Sequence, residues 1–245
     1  MEIFAGLSVG LLILVALFVA IKTFALWART RGLPELLLGL YLSCATVLGY
    51  PLNIASSRIP ATEMWLLHMA GHVVTTVGFA CLLLFTLKVF RPEDLWARCL
   101  VGLSLLLFAA GGAAYFKELS GEHPRATAEL LGINSMVTLP IAVAYFWTTL
   151  EAFAYQRQLR LRLRLGLADA AVVNRVLLWG CMSLAAGVAV IISLAGMLAG
   201  SFLSAPIVLA LSCLGTVQTC CLFLAFHPPG WYTAWLGRRA RAEAS

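Results

Sequence analysis

Two histidines four residues apart, in His68-Met69-Ala70-Gly71-His72, interrupt a long apolar stretch. On a helix, residues four apart lie on one face, one turn above the other, and paired imidazoles at that spacing recur as metal ligands. Two imidazoles alone hold zinc or copper poorly, so a metal site would need a third ligand from Glu63, His123 or Glu129. Haem is not expected. His68 and His72 share a face and cannot clamp opposite sides of one porphyrin, and His227 lies roughly 20 Å further along the membrane normal at 1.5 Å per helical residue. Without a metal, the pair either binds a ligand or proton at a group that titrates near neutrality or hydrogen-bonds neighbouring helices and does nothing else.

Four other polar residues fall at a similar depth: Tyr50 and Asn53 in the run before the histidines, and Asn134 and Ser135 in a later one. Ionisable groups inside a bilayer are costly and usually face the bundle interior. The six residues Tyr50, Asn53, His68, His72, Asn134 and Ser135 therefore make a candidate ligand pocket.

Seven apolar runs must position these side chains, at about 3–27, 33–55, 64–90, 95–116, 130–154, 174–199 and 202–227. Each reaches the ~20 residues that a bilayer requires. With 62% hydrophobic and 11% charged residues in 245, the composition is that of a membrane protein rather than a soluble domain. The expected fold is all-α: a single seven-transmembrane-helix bundle with no soluble domain. Loop charge sets its orientation. Lys22, Arg29, Arg31, Lys88, Arg91, Arg98, Arg157, Arg160, Arg162, Arg164, Arg175, Arg238, Arg239 and Arg241 fall on one side, against Arg58, Lys117 and Arg125 on the other. That asymmetry places the N-terminus outside and the C-terminus in the cytoplasm. The first run follows Glu2 and precedes Lys22, Arg29 and Arg31, so it reads as an N-outside span rather than a cleavable signal. Arginine outweighs lysine, and alanine and leucine dominate, a composition that suggests a bacterial inner membrane. The net charge of +6 is juxtamembrane, which suits anionic lipid headgroups and not nucleic acid. All seven cysteines lie in or beside helices, and no disulfide is expected.

The longest inner loop alternates arginine and leucine from Arg157 to Leu165. If the fifth helix continues through it, Arg157, Arg160 and Arg164 share a face that can reach phosphates. Arg157, Arg160, Arg162 and Arg164 are thus candidates for contact with lipid or with a cytoplasmic partner protein. Asp169 suits a helix N-cap. Glu151, buried in the fifth run, needs a cation, and Lys22 and Lys88 lie at similar depth. Small residues at Gly6 and Gly10, Ser183 and Gly187, and Gly196 and Gly200 have the spacing that lets helices approach closely.

A faint repeat runs through the chain. Leu37-Leu38 and Ser43 match Leu177-Leu178 and Ser183, and Phe90-Arg91-Pro92 with Trp96 matches Phe226-His227-Pro228 with Trp231. Helices one to three would duplicate as five to seven, with helix four as linker. Such a three-plus-one-plus-three arrangement resembles the architecture of sugar-efflux transporters. The N-outside topology is that of microbial rhodopsins and G-protein-coupled receptors, but the motifs differ. The seventh run has no lysine for a retinal Schiff base, and neither the acidic-Arg-aromatic triplet, Asn-Pro-x-x-Tyr nor the outer cysteines of the receptors are present.

The residues therefore support a receptor-like or sensor-like bundle that binds a small ligand or proton in an outer pocket. A small-solute or proton-coupled transporter is the alternative, and a metal-binding or redox membrane protein comes third. No nucleophile, acid and base group at one depth, so an enzyme is not expected. Reporter fusions at the C-terminus and within 157–164 should read cytoplasm, and a fusion near Arg125 the outside. A C-terminal fusion reading outside would overturn the orientation.

Overall fold

The computed structural model describes residues 2–56, 59, 64–119, 131–201 and 204–244, with side chains at 3–56, 59, 64–119, 136–201 and 204–239. Among the described residues eight helices follow one another: α1 (Glu2–Thr30), α2 (Leu33–Ser56), α3 (Trp65–Phe90), α4 (Leu95–Leu119), α5 (Leu131–Arg164), α6 (Ala170–Leu198), α7 (Ala205–Phe226) and α8 (Gly230–Ala244). No strand occurs among the described residues. Helices α1 to α7 are each long and apolar enough to cross a membrane, and the chain is an integral membrane bundle. Helix α8 is an additional element, polar and rich in arginine, outside the seven apolar runs. The fifth helix does run on through the arginine–leucine segment to Arg164.

Local chemistry sets the helix ends. Pro34 and Pro206 open α2 and α7, where the missing N–H has no helical partner to lose. Asp169 caps α6, its carboxylate accepting from Ala171 N at 2.9 Å. Gly200, at φ +62°, ends α6 instead of packing within it. The middle of α2, Leu42–Gly49, widens to a π-helix just before Pro51. Pro51 cannot donate to the carbonyl one turn back and its ring crowds that carbonyl, so the wider turn relieves the clash.

Six helices close a ring in the order α1, α2, α3, α5, α6, α7 and back to α1. Among the described residues α4 packs only on α3 and α5, outside the ring, and α8 lies on α5 and α6. Going round, α1–α2–α3 occupies the same sequence of places as α5–α6–α7.

Detailed contacts follow the same pattern. The ring of Phe24 on α1 lies 2.9 Å from where a Cβ on Gly39 of α2 would sit, and the ring of Phe153 on α5 lies 2.7 Å from the corresponding point on Gly180 of α6. Matching Phe24 with Phe153 aligns buried Ala16, Val19, Ala20 and Thr23 with buried Tyr145, Thr148, Thr149 and Ala152. Matching Gly39 with Gly180 aligns buried Leu38, Tyr41, Leu42 and Ala45 with buried Trp179, Met182, Ser183 and Ala186. This register is one residue away from the pairing of Ser43 with Ser183 suggested by residue identity, because packing follows the glycine and not the serine. The ends of α3 and α7 also agree: the next residues, Arg91 (φ −139°, ψ 50°) and His227 (φ −142°, ψ 62°), each donate N–H to the carbonyl four residues back.

Two expectations change. Nothing packs within 4 Å of a Cβ placed on Gly6 or Gly10, so that pair is not a packing face within this chain. Glu151 pairs with Arg91, not with Lys22 or Lys88: Arg91 Nε donates to Oε1 at 2.9 Å and Oε2 at 3.0 Å, and Trp147 Nε1 adds a bond at 3.2 Å. The single Nε–H is shared between both carboxylate oxygens while Nη1 donates to Asp94 Oδ2 at 3.2 Å, and the position of Arg91 just past α3 lets the side chain turn back into the bundle. The Glu151 carboxylate holds the Arg91 guanidinium above its already high ordinary value. Lys22 Nζ instead donates to His227 Nδ1 at 3.1 Å.

Gly39→Val and Gly180→Val should each lower stability by about 1–3 kcal/mol through overpacking against phenylalanine, whereas Gly6→Val and Gly10→Val should change it little. Thermal melts of the four variants in one detergent test this.

Candidate functional site

Inside the ring lies a cavity of about 450 Å³, walled by all six of its helices and not by α4. It extends from Tyr41, Tyr145 and Leu222 deep in the bundle to Asn53, Met197 and Val208 near the end remote from the arginines. That size is within the range of small-molecule sites. The wall formed by α2, α3 and α5 carries most of the polar groups, Tyr41, Thr46, Tyr50, Asn53, Thr75, Thr138 and Tyr145, beside Leu42, Ala45, Phe79 and Ile141. Asn53 Nδ2 donates to Gly49 O and to Thr75 Oγ1, both at 2.8 Å, which fixes the amide across the α2–α3 seam. The facing α6–α7 wall is mainly apolar, with Met182, Val190, Leu194, Leu211 and Leu222. Its polar exceptions include Gln218 and Ser212, and the Ser212 hydroxyl is satisfied within α7. No Asp, Glu, Lys, Arg or His is among the described lining residues.

The matched positions recur in this lining. Val9 and Leu12 of α1 correspond to Thr138 and Ile141 of α5, Tyr41 and Ala45 of α2 to Met182 and Ala186 of α6, and Thr75 and Phe79 of α3 to Leu211 and Gly215 of α7. Beyond the π-helical segment the α2 register steps by one residue, and Tyr50 and Asn53 then correspond to Val190 and Ser193.

Below the cavity the bundle is closed by aromatic rings and hydroxyls. Tyr41 donates to the Tyr145 hydroxyl at 3.1 Å, Phe79 meets both tyrosines edge-on, and Trp179 packs against Tyr41, Phe85 and Phe226. One turn further along α5, Thr148 pairs with Thr86 at 2.7 Å, and a turn beyond that stands Glu151 with Arg91. Among the described residues, Trp179 Nε1 and Ser183 Oγ in this layer are buried without a hydrogen-bond partner.

The structure brings Tyr50 and Asn53 into the cavity but sets the two histidines apart from it, on the side of α3 that faces α4. His68 is buried, with Nε2 3.0 Å from Ile59 O and Nδ1 3.4 Å from the Tyr115 hydroxyl. A carbonyl only accepts, so Nε2 carries a proton and, in the neutral ring, Nδ1 accepts from tyrosine. His72 stacks on Tyr115 at 5.0 Å with its Nε2 buried and unpartnered. No group of three or more metal-binding side chains occurs among the described residues. Both nitrogens of His68 are engaged, one with the Ile59 carbonyl and one with the Tyr115 hydroxyl of α4. The side chains of Asn134 and Ser135, and Arg58, Glu63, His123, Arg125 and Glu129 altogether, lie outside the described residues.

Residue spacing missed Tyr41, Tyr145, Thr75 and Thr138 as cavity residues. Each is a polar residue in a largely apolar span with no spacing that marks it out, and only the ring closure makes them converge. All four arginines of the inner segment are exposed, and of them Arg160 alone borders a groove with α6 and α8 among the described lining residues.

Compared with protein-family models, curated proteins and solved structures, the chain matches none of them.

His68→Ala should lower stability on the order of 1 kcal/mol by removing the hydrogen bonds to Ile59 O and to Tyr115 of α4 and leave bound metal unchanged. Melting curves and elemental analysis of wild type and variant measure both, and stoichiometric zinc or copper that His68→Ala releases would restore the metal site.

Proposed function

We propose that the chain is a transporter that carries a small uncharged solute across the membrane, and that α1–α3 and α5–α7 are two copies of one three-helix unit joined by α4. The observation that carries this reading is the position of the cavity, on the seam between two halves whose helices and lining residues correspond. Substrate sites of repeat-built transporters lie at such seams, and rocking one half against the other exposes the site to each side in turn.

Two further features support transport over binding alone. Polar groups continue beyond the cavity toward the basic end, through Tyr41–Tyr145, Thr86–Thr148 and Glu151–Arg91. Trp179 and Ser183, unpartnered in this state, are a penalty of about 1–3 kcal/mol each that a passing polar solute would offset. Contacts that bridge the halves hold the basic end shut: Arg91 with Glu151 joins α3 to α5, and His227 with Lys22 joins α7 to α1. The positive-inside bias makes that end cytoplasmic, so this arrangement faces outward. An uncharged solute fits because a charge on this lining would be desolvated with no opposite charge to receive it. Proton coupling has no support here, since the described lining holds no carboxylate or imidazole.

A receptor or sensor with an outer pocket is the second reading, and the polar wall around Tyr50 and Asn53 is what favours it. Side-specific labelling separates the two. Cysteines placed at Thr75 and Ser193 in protein otherwise freed of cysteine should react with a membrane-impermeant maleimide from both faces of a vesicle. Reaction from one face alone, with no swelling of proteoliposomes in graded uncharged solutes such as urea, glycerol and xylitol, would favour the receptor.

The clasp gives an asymmetric prediction. Arg91→Ala leaves the Glu151 carboxylate buried and unpaired, a loss of about 3–5 kcal/mol. Glu151→Gln leaves Arg91 at the surface, and the Arg91→Ala/Glu151→Gln double variant should recover much of the stability lost by Arg91→Ala. In that double variant labelling from the basic face should rise.

A further inference from the structure

At the basic end a second concavity, of about 230 Å³, lies between the extension of α5, the start of α6 and α8. Tyr232 closes one side of it by donating to Asn174 Oδ1 at 3.1 Å, which ties α8 to α6. Two arginines from different helices border it, Arg160 of α5 and Arg239 of α8, and its interior presents Leu163, Leu177 and Leu236. Arg239 lies over the ring of Trp235 at 5.6 Å, and Gln156, correctly oriented, accepts from Arg160.

We propose that this groove binds one anionic phospholipid, its phosphodiester held between Arg160 and Arg239 and an acyl chain against the leucines. The arginine fork matches phosphate oxygens in pairs. The leucines explain why the ligand is a lipid: a free phosphate would leave them uncovered, whereas an acyl chain removes them from water. Position agrees, because the groove is where α5 and α6 leave the apolar span and Trp231, Tyr232 and Trp235 stand, side chains suited to the headgroup level. The site needs α8 seated on α5 and α6, so a bound lipid would bridge three helices, two of them belonging to the second half of the ring.

The test measures melting temperature and lipid retention by native mass spectrometry for detergent-solubilised protein. The probes are dioleoyl phosphatidylglycerol, dioleoyl phosphatidylcholine, inorganic phosphate and a polyglutamate peptide. Phosphatidylglycerol should stabilise the wild type and be retained one to one, with the other three inactive. Arg160→Gln/Arg239→Gln should weaken it about thirtyfold, two residues' worth of headgroup attraction. Arg157→Gln/Arg162→Gln, of equal net charge but away from the groove, should leave it unchanged. An equal response to phosphatidylcholine, an equal loss in the control pair, or full reproduction by phosphate or polyglutamate would each overturn the proposal. Activity in the transport assay plays no part, so the lipid site and the transport reading stand or fall separately.

Discussion

Lipid offers no hydrogen-bond partners, so each polar group on a spanning helix must find its partner inside the bundle or stay unsatisfied at a cost. Most of this structure can be traced to that requirement. Glu151 is the sharpest case: its carboxylate is buried in α5, and the chain brings Arg91 back from beyond α3 to meet it with two bonds, with Trp147 donating a third. The same demand pairs Tyr41 with Tyr145 and Thr86 with Thr148 across the ring. Single hydroxyls elsewhere, such as Thr23, Ser104 and Thr149, turn back to carbonyls of their own helices. The contacts across the ring join α2, α3 and α5, and they locate the closed layer beneath the cavity.

The ring itself rests on close approach. Phenylalanine against glycine at Phe24–Gly39 and Phe153–Gly180 brings α1 to α2 and α5 to α6 in the same way. Six helices arranged so cannot all meet at the centre, and the space left is the cavity above and the aromatic layer below. Helix α4, packed outside, leaves the ring order of the two halves undisturbed while joining their ends.

The halves have the same layout but different chemistry. Tyr41, Tyr50 and Thr75 occupy positions whose counterparts are Met182, Val190 and Leu211. The cavity therefore has a wall rich in hydrogen-bonding groups facing a mainly apolar one. The clasps at the basic end differ as well. One is a carboxylate with a guanidinium; the other joins an ammonium to an imidazole nitrogen, and that nitrogen must be unprotonated to accept.

The seven spans were legible in the sequence, because the transfer of apolar surface into lipid acts on each run independently of the others. So were the cap at Asp169 and the helical continuation of the arginine–leucine segment. The histidine pair was legible as a chemical pattern but not as a place. A spacing of four fixes that two side chains share a helix face, and only packing decides which neighbour that face meets; here it is Tyr115 of α4 and not the cavity. Glu151 announced its need for a cation, yet the partner came from a loop, since depth along one helix does not reveal how a chain end folds back. The correspondence of the halves was visible in the ends of α3 and α7, where backbone chemistry is local, and one residue out of register in α2 and α6, where the glycine–phenylalanine contact sets the alignment. Tertiary structure alone decided which isolated polar residues converge on one cavity, because that depends on the order of six helices around a ring and not on the residues of any one of them.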